Sequence, residues 1–340
     1  AAGRAVLVSA PEAAAGAEAA RRSHQPGPTM QPIEDRARGP MSRMAERIWR
    51  QPYLLLVLPT MIWGGNITLG RFVADHISAI PLSQMRWTLA LVFLLPLAWP
   101  HLARDLPTIL RHWKIVILLS ITGVSAYNTL VYEGLQTTTA LSAALLQSIQ
   151  PMIIAVFAFA IYRERLTRAQ AVGIAVSLAG ALTILSRGTI ETFAAFAFVP
   201  GDLWVLAGVT VYAFYTTILK SRPPIHPVSL LFVMVAVGVV ALWPFTIAAL
   251  MEGARFPLDG LTLATGLYVS LLASVIAYLC FNRGVELIGP NRTSPFFHMI
   301  PVFGSLFGIL FLAERPAWYH AVGWLLVIAG VAVAQRRARG

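Results

Sequence analysis

Apolar runs of about the length that crosses a bilayer recur from residue 53 to residue 335, separated by short polar or charged connections. A hydrocarbon core ~30 Å thick is spanned by about 20 residues of helix rising ~1.5 Å each. Within it every backbone N–H and C=O needs a protein partner, so exposed loops and open sheet edges have no place there. Runs that meet this requirement fall at 53–72, 80–99, 113–135, 141–162, 168–186, 202–220, 228–250, 261–287, 291–313 and 317–335. Composition agrees: 57% of the 340 residues are hydrophobic, 12% are charged, and Asp and Glu together number 15, too few to clothe a water-facing surface. The expected fold is an all-α integral membrane protein with ten transmembrane helices. No connection after residue 53 approaches the ~50 residues a separate soluble domain needs.

Basic residues collect on the cytoplasmic side of such proteins. Of the 26 Lys and Arg residues, Arg71, Arg187, Arg255 and Arg315 fall in alternate connections and Arg86 lies inside a helix; the others flank the remaining connections and the chain ends. Both termini are therefore expected in the cytoplasm. The net charge of +11 reads as topology and as attraction to anionic lipid, about 1 kcal/mol per juxtamembrane basic residue. No basic patch with interleaved aromatics points to nucleic acid. Residues 1–50, rich in Ala, Pro, Gly and Arg and without an apolar run of signal-peptide length, read as a disordered basic cytoplasmic arm. They open without Met, and MSRMAERIW begins at Met41, so the arm is either an extended start or a regulatory tail. The lone Cys280 falls in a predicted helix, closes no intrachain disulfide and reads as packing.

QPMIIAVFAFAIYRER, from Gln150, and IPVFGSLFGILFLAER, from Ile300, are the same segment written twice. Gly134, Pro151, Phe157, Glu164, Arg165, Ala171, Val172, Gly173, Ala179 and Gly180 all recur 150 positions on, without a gap. Upstream, WGGNITLGR at 63–71 lies on YAFYTTILK at 212–220, and Pro81 on Pro227. Helices one to five thus match helices six to ten, and the expected organisation is the arm at 1–50, a first repeat at 51–187 and a second at 188–340. A unit that crosses five times ends on the far side, so its copy inserts upside down. Two similar units related in this way offer an inward-open and an outward-open arrangement of comparable energy around a shared site near mid-membrane.

Polar side chains in hydrocarbon are costly and face the bundle interior or a wet cavity. In the third helix Thr122, Ser125, Thr129, Tyr132 and Gln136 form one stripe with Asn128 on its flank; the eighth has Ser274, Tyr278 and Asn282, and the ninth Ser294, His298, Pro301, Ser305 and Gly308. Ser and Thr read mainly as interhelical hydrogen-bonders. The candidate substrate-binding residues are the amides and aromatics Trp63, Asn66, Asn128, Gln147, Gln150, Tyr212, Tyr215, Tyr278 and Asn282, with His298 and Arg86. Stacking faces beside neutral donors and acceptors suit a zwitterion with a bulky side chain. Arg86 either snorkels outward or holds a substrate carboxylate. His298 is the one candidate near mid-depth that titrates near neutral pH, and packing is the competing reading. Pro151 and Pro301, mid-helix in both copies, are candidate hinges. Glu164–Arg165 and Glu314–Arg315 read as anchors at helix ends, with a gate ion pair as the competing reading, and are followed by a capping box at Thr167 and Gln170 in one copy and by Pro316 in a first helical turn in the other.

WGGN in the first helix, MRW in the second, TTTALSAALLQSIQP opening the fourth and RER closing it resemble the EamA-type drug/metabolite transporter (DMT) superfamily over residues 53–335. The resemblance implies a ten-helix carrier of the plasma (inner) membrane whose cavity is lined by helices one, three, four, six, eight and nine, exporting amino acids or other small metabolites. Aromatic amino-acid exporters similar to YddG are the first comparison it suggests. Neither helix one nor helix six carries the central glutamate with which small multidrug relatives exchange protons for cations. No HExxH, GxSxG, P-loop or Cys/His metal spacing occurs, so neither enzyme chemistry, a cofactor, a metal nor ATP coupling is expected. The expected partners are a small-molecule substrate and the lipid bilayer; a monomer fits, and the oligomeric state stays open.

Overall fold

The computed structural model describes residues 46–194, 198–311 and 315–336, so most of the arm and Glu314 lie outside the described residues. The helical body begins at Ile48. Eight helices are long and apolar enough to cross a membrane: α1 Pro52–Phe72, α2 Ala79–Arg111, α3 Trp113–Thr137, α4 Ala140–Tyr162, α5 Arg168–Leu185, α6 Pro200–Ser221, α7 Pro227–Met251 and α8 Gly260–Ile288. After them α9, over 290–311, is assembled from Pro290–Thr293, a 3-10 stretch Ser294–His298 and Met299–Phe311, and α10, Trp318–Ala334, is apolar but shorter. No strand occurs among the described residues. The ten full helices expected are thus eight spans, a broken one and a short one.

Local chemistry accounts for the departures. α2 runs on to Arg111 rather than stopping near 99, although Pro96, Pro100 and Pro107 each remove a backbone bond. Its buried stripe, Ala90, Leu94, Ala98, Asp105 and Ile109, stays packed along α7 while the prolines stand on the exposed side, so tertiary burial overrides the breaker signal. α4 is interrupted at Ser148 and Ile149, which places Pro151 in the first turn of the following piece, Gln150–Tyr162. α5 starts with the expected reciprocal cap: Thr167 Oγ1 accepts from Gln170 N and Gln170 Oε1 from Thr167 N. α10 begins at Trp318, past Pro316, and His320 Nδ1 takes the place of the Gln170 side chain by accepting from Ala317 N at 3.0 Å.

α3 and α8 each contain a widened π turn, at Ile121–Ala126 and Tyr268–Ile276, in matching places of the two repeats. The extra residue per turn splits the stripe expected on α3. Ser125 donates to Gly238 O of α7, whereas Tyr132 faces α1 and α2.

The packing obeys the repeat. α2 lies on α7 and α5 on α10, each helix against its own copy; α1 packs on α8 and α9 as α6 packs on α3 and α4. Glycine contacts give the direction. A Cβ at Gly173 would stand 2.6 Å from Gly330 O and one at Gly330 2.6 Å from Gly173 O, while Gly180 and Gly323 face each other likewise at 2.7 and 2.8 Å. Since 323 copies 173 and 330 copies 180, α5 and α10 run antiparallel about a local twofold.

Candidate functional site

Residues that are copies of one another meet at the centre of the bundle. The Trp63 indole lies edge-on to its counterpart Tyr212, with ring centres 5.9 Å apart. Asn128 Nδ2 donates to the hydroxyl of its counterpart Tyr278 at 3.1 Å. His298 Nε2 donates to the carbonyl of its counterpart Ser148 at 2.8 Å. Only positions beside a twofold axis touch their own copies, so the axis passes through these pairs.

The π turns supply acceptors there, because widening a helix releases carbonyls from the regular ladder. Tyr278 OH donates to Gly123 O at 2.7 Å, and Ala273 O, the copy of Gly123 O, accepts from Trp63 Nε1 at 3.1 Å and Arg86 Nη2 at 2.9 Å. The break before Pro151 acts similarly: Met152 N bonds Ile149 O, and Ser148 O is left to His298.

Arg86 is 1% exposed and turned inward, so the snorkelling alternative is excluded. Its Nε donates to Ser274 Oγ at 2.7 Å and Nη1 to Tyr132 OH at 2.8 Å, while Tyr132 OH donates to Asn66 Oδ1 at 3.1 Å. All these acceptors are neutral. Among the described residues no carboxylate pairs with this guanidinium. The adjacent Trp87, fully buried against Tyr278 at 5.3 Å, has an Nε1–H without a partner.

Of the candidate residues, Trp63, Asn66, Arg86, Asn128, Tyr212, Tyr215, Tyr278 and Asn282 are brought into one knot, the last joined by Tyr215 OH donating to Asn282 Oδ1 at 2.7 Å. Gln147 and Gln150 stand apart at the break in α4, with Gln147 Nε2 and both amide atoms of Gln150 buried and unpaired. His298 is fully buried and satisfied at both nitrogens, Nδ1 accepting from Ser177 Oγ at 2.7 Å. Sequence reasoning left Tyr127, Trp87, Phe281 and Phe297 out of this knot. Phe281 and Phe297 carry no polar atom to single them out, and nothing in the helical period announces a π turn.

A recess of about 500 Å3 reaches Gly64 and Ile67 of α1 and Ile300 and Pro301 of α9, within a turn of Trp63, Asn66 and Phe297. Its mouth carries Arg187, Arg315, Tyr319 and His320, and its walls come from α1, α4, α5, α9 and α10. The lining therefore departs from the implied set, with α3, α6 and α8 contributing to the knot. At the opposite end of α4 and α5 a second recess of about 650 Å3 is lined by the copies: Arg165 for Arg315, Gln170 for His320, Asn291 for Leu141. At this end Glu164 pairs with Lys220 of the other half, and Glu286 pairs with Arg222 and Arg283 within the second half.

A membrane bundle of duplicated helices closing on a central site defines the class as membrane carriers. The chain belongs to the EamA-like transporter family, whose model matches it twice, over residues 50–186 and 199–335. It is 27% identical over 290 residues to the uncharacterized transporter YyaM of Bacillus subtilis, covering 83% of this chain and 92% of that one. It is 28% identical over 309 residues to a probable terminal-alkyne amino-acid exporter of Streptantibioticus cattleyicolor, covering 88% and 96%. A crystal structure of another protein, 18% identical, shares the fold with a TM-score of 0.67 over 84% of this chain and 97% of that one.

Proposed function

We propose that this EamA-like transporter is a secondary carrier that exports small metabolites, neutral and aromatic amino acids foremost, by alternating access between two inverted five-helix repeats, with both termini in the cytoplasm. The observation that carries the reading is the contact of each residue with its own copy at Trp63/Tyr212, Asn128/Tyr278 and Ser148/His298. Such an axis makes the two halves interchangeable, so a state open at the Arg315 end has a counterpart open at the Arg165 end.

Arg86 supports a carboxylate in the cargo. A buried cation held only by neutral acceptors is stabilised further by an anion, and the free Trp87 Nε1–H beside it is a second donor. The aromatic knot supports a planar or bulky side chain. Amino-acid export by the Streptantibioticus relative points the same way.

Purified protein in liposomes, tested for counterflow against a panel of amino acids and other metabolites without ATP, provides the test. Uptake of one or more neutral amino acids above that of empty vesicles is expected; flux equal to empty vesicles across the panel overturns the reading.

A further inference from the structure

The recess of about 650 Å3 at the Arg165 end is lined by charges of both signs. Its carboxylates are committed: Glu164 pairs with Lys220, and Glu286 takes Arg222 at 2.7 Å and Arg283 at 2.9 Å. Among the described residues no carboxylate pairs with Arg165, which is exposed, or with Arg292, which is half-buried, and both line the recess. Two guanidinium groups are left over. The first turn of α9 supplies their complement. Asn291 lines the same recess at 7% exposure, and its Oδ1 is buried without a donor. Such an acceptor, taken out of water and given nothing to bond, destabilises the fold until a ligand supplies the donor. Val285 and Ile288, from the last turn of α8, add an apolar wall.

The other repeat shows that this polarity is not a packing requirement. The copy of Asn291 is Leu141, in the lining of the recess at the Arg315 end, and among the described residues that line that recess there is neither a carboxylate nor a carboxamide. The scaffold therefore accepts an aliphatic side chain where Asn291 stands. Each feature of the lining removes a class of ligand. A dianion such as phosphate meets Glu164 and Glu286 in the same space, a cation meets the unpaired guanidinium groups, and a hydrocarbon leaves every charge desolvated. A zwitterion answers both signs at once. A volume of this size lies within the ~300–1,000 Å3 usual for small-molecule sites.

We propose that this recess is a second binding site, separate from the aromatic knot, for a neutral α-amino acid with an apolar side chain: its carboxylate lies on Arg165 and Arg292, its ammonium donates to Asn291 Oδ1 beside Glu286, and its side chain rests on Val285 and Ile288. The inference concerns binding at this end of the bundle and does not depend on what crosses the membrane.

Ile288→Cys in a Cys280→Ala background puts a thiol in the recess of the full chain, purified in detergent. L-Phenylalanine is expected to slow its alkylation by a maleimide. Phenylalanine methyl ester, which lacks the carboxylate, and N-acetylphenylalanine, which lacks the ammonium, should need about tenfold higher concentrations for the same protection, and inorganic phosphate should give none. Asn291→Leu, the residue its copy carries, should weaken protection by about tenfold, and Arg165→Gln, at an exposed position, by about fivefold. Arg86→Lys, which disables the knot, should leave protection intact. Equilibrium dialysis of labelled phenylalanine against Arg86→Lys protein with Ile288 and Cys280 in place repeats the measurement without an introduced thiol; binding is expected there. Equal protection by the ester or by phosphate, loss of protection in Arg86→Lys, or no binding in dialysis overturns the proposal. Counterflow in liposomes made from the same preparation keeps the two readings apart: flux without protection sinks only this site, and protection without flux sinks only amino-acid carriage.

Discussion

Arg86 carries the sharpest single-residue consequence. Lys keeps the charge but has neither the fork nor the reach to bond Ser274, Tyr132 and Ala273 O together. Arg86→Lys is expected to elute as a folded monodisperse species and to lose counterflow by about tenfold or more, the scale of one charge-assisted hydrogen bond. Unchanged flux would remove Arg86 from the site. Tyr278→Phe deletes the hydroxyl that bridges Asn128 to Gly123 O and leaves both groups buried, at a cost of about 1–3 kcal/mol, read as a lower thermal midpoint in detergent. Away from the hydrocarbon, His226 stacks on His101 with ring centres 3.8 Å apart, and burial, with His101 beside it, pushes its imidazole below the ordinary 6.5. The unfolded chain then takes up the proton first. This contribution to stability is therefore intact above about pH 6.5 and is lost as pH falls through the lower folded value. His226→Gln should flatten the pH dependence of thermal stability between pH 7 and 5; an identical slope in the variant rejects the assignment. These residues were unequally legible. Amide and aromatic chemistry at mid-depth marked Asn66, Asn128, Tyr212 and Tyr278, whereas the inward turn of Arg86 depends on acceptors from α3 and α8, 46 and 188 positions away.

Among the elements, α5 and α10 show how small residues decide a contact. Gly330 approaches Ser177 N so closely that a Cβ would stand 2.4 Å away, and the facing atom is backbone that cannot yield. Gly330→Val is expected to abolish a monodisperse peak in size-exclusion chromatography, while Gly260→Val, at a site with nothing within 4 Å, should elute as the parent does. A normal profile for Gly330→Val would contradict the antiparallel seam. The prolines teach a related lesson. Pro151 marked an interruption of α4 that is present, yet Pro96, Pro100 and Pro107 marked none in α2, because the α2 stripe on α7 outweighs the lost backbone bonds. The π turns of α3 and α8 left no trace in the residue pattern. A widened turn is a compromise between two neighbouring helices, and its carbonyls acquire meaning only once Tyr278, Trp63 and Arg86 are in reach.

For the molecule as a whole, alternation makes a reciprocal prediction. Ser305 lines the recess at the Arg315 end, whereas its copy Ala155 is not in the lining of the recess at the Arg165 end. In a Cys280→Ala background, Ser305→Cys should react with a membrane-impermeant maleimide, and Ala155→Cys should react from the opposite side of the membrane only when a substrate gradient drives the exchange. Reaction of both from one side at all times would exclude rocking between inverted halves. The apolar runs, their duplication and the odd number of expected crossings were sufficient by themselves to determine a two-repeat α-helical membrane protein, since lipid leaves the backbone few other choices and inherited symmetry leaves few arrangements of the halves. Which side chains lie against their own copies, and which acceptors turn Arg86 inward, were decided only by tertiary contact. Those contacts join positions far apart along the chain, and a residue pattern common to both halves does not say which of its members the packing brings to the axis.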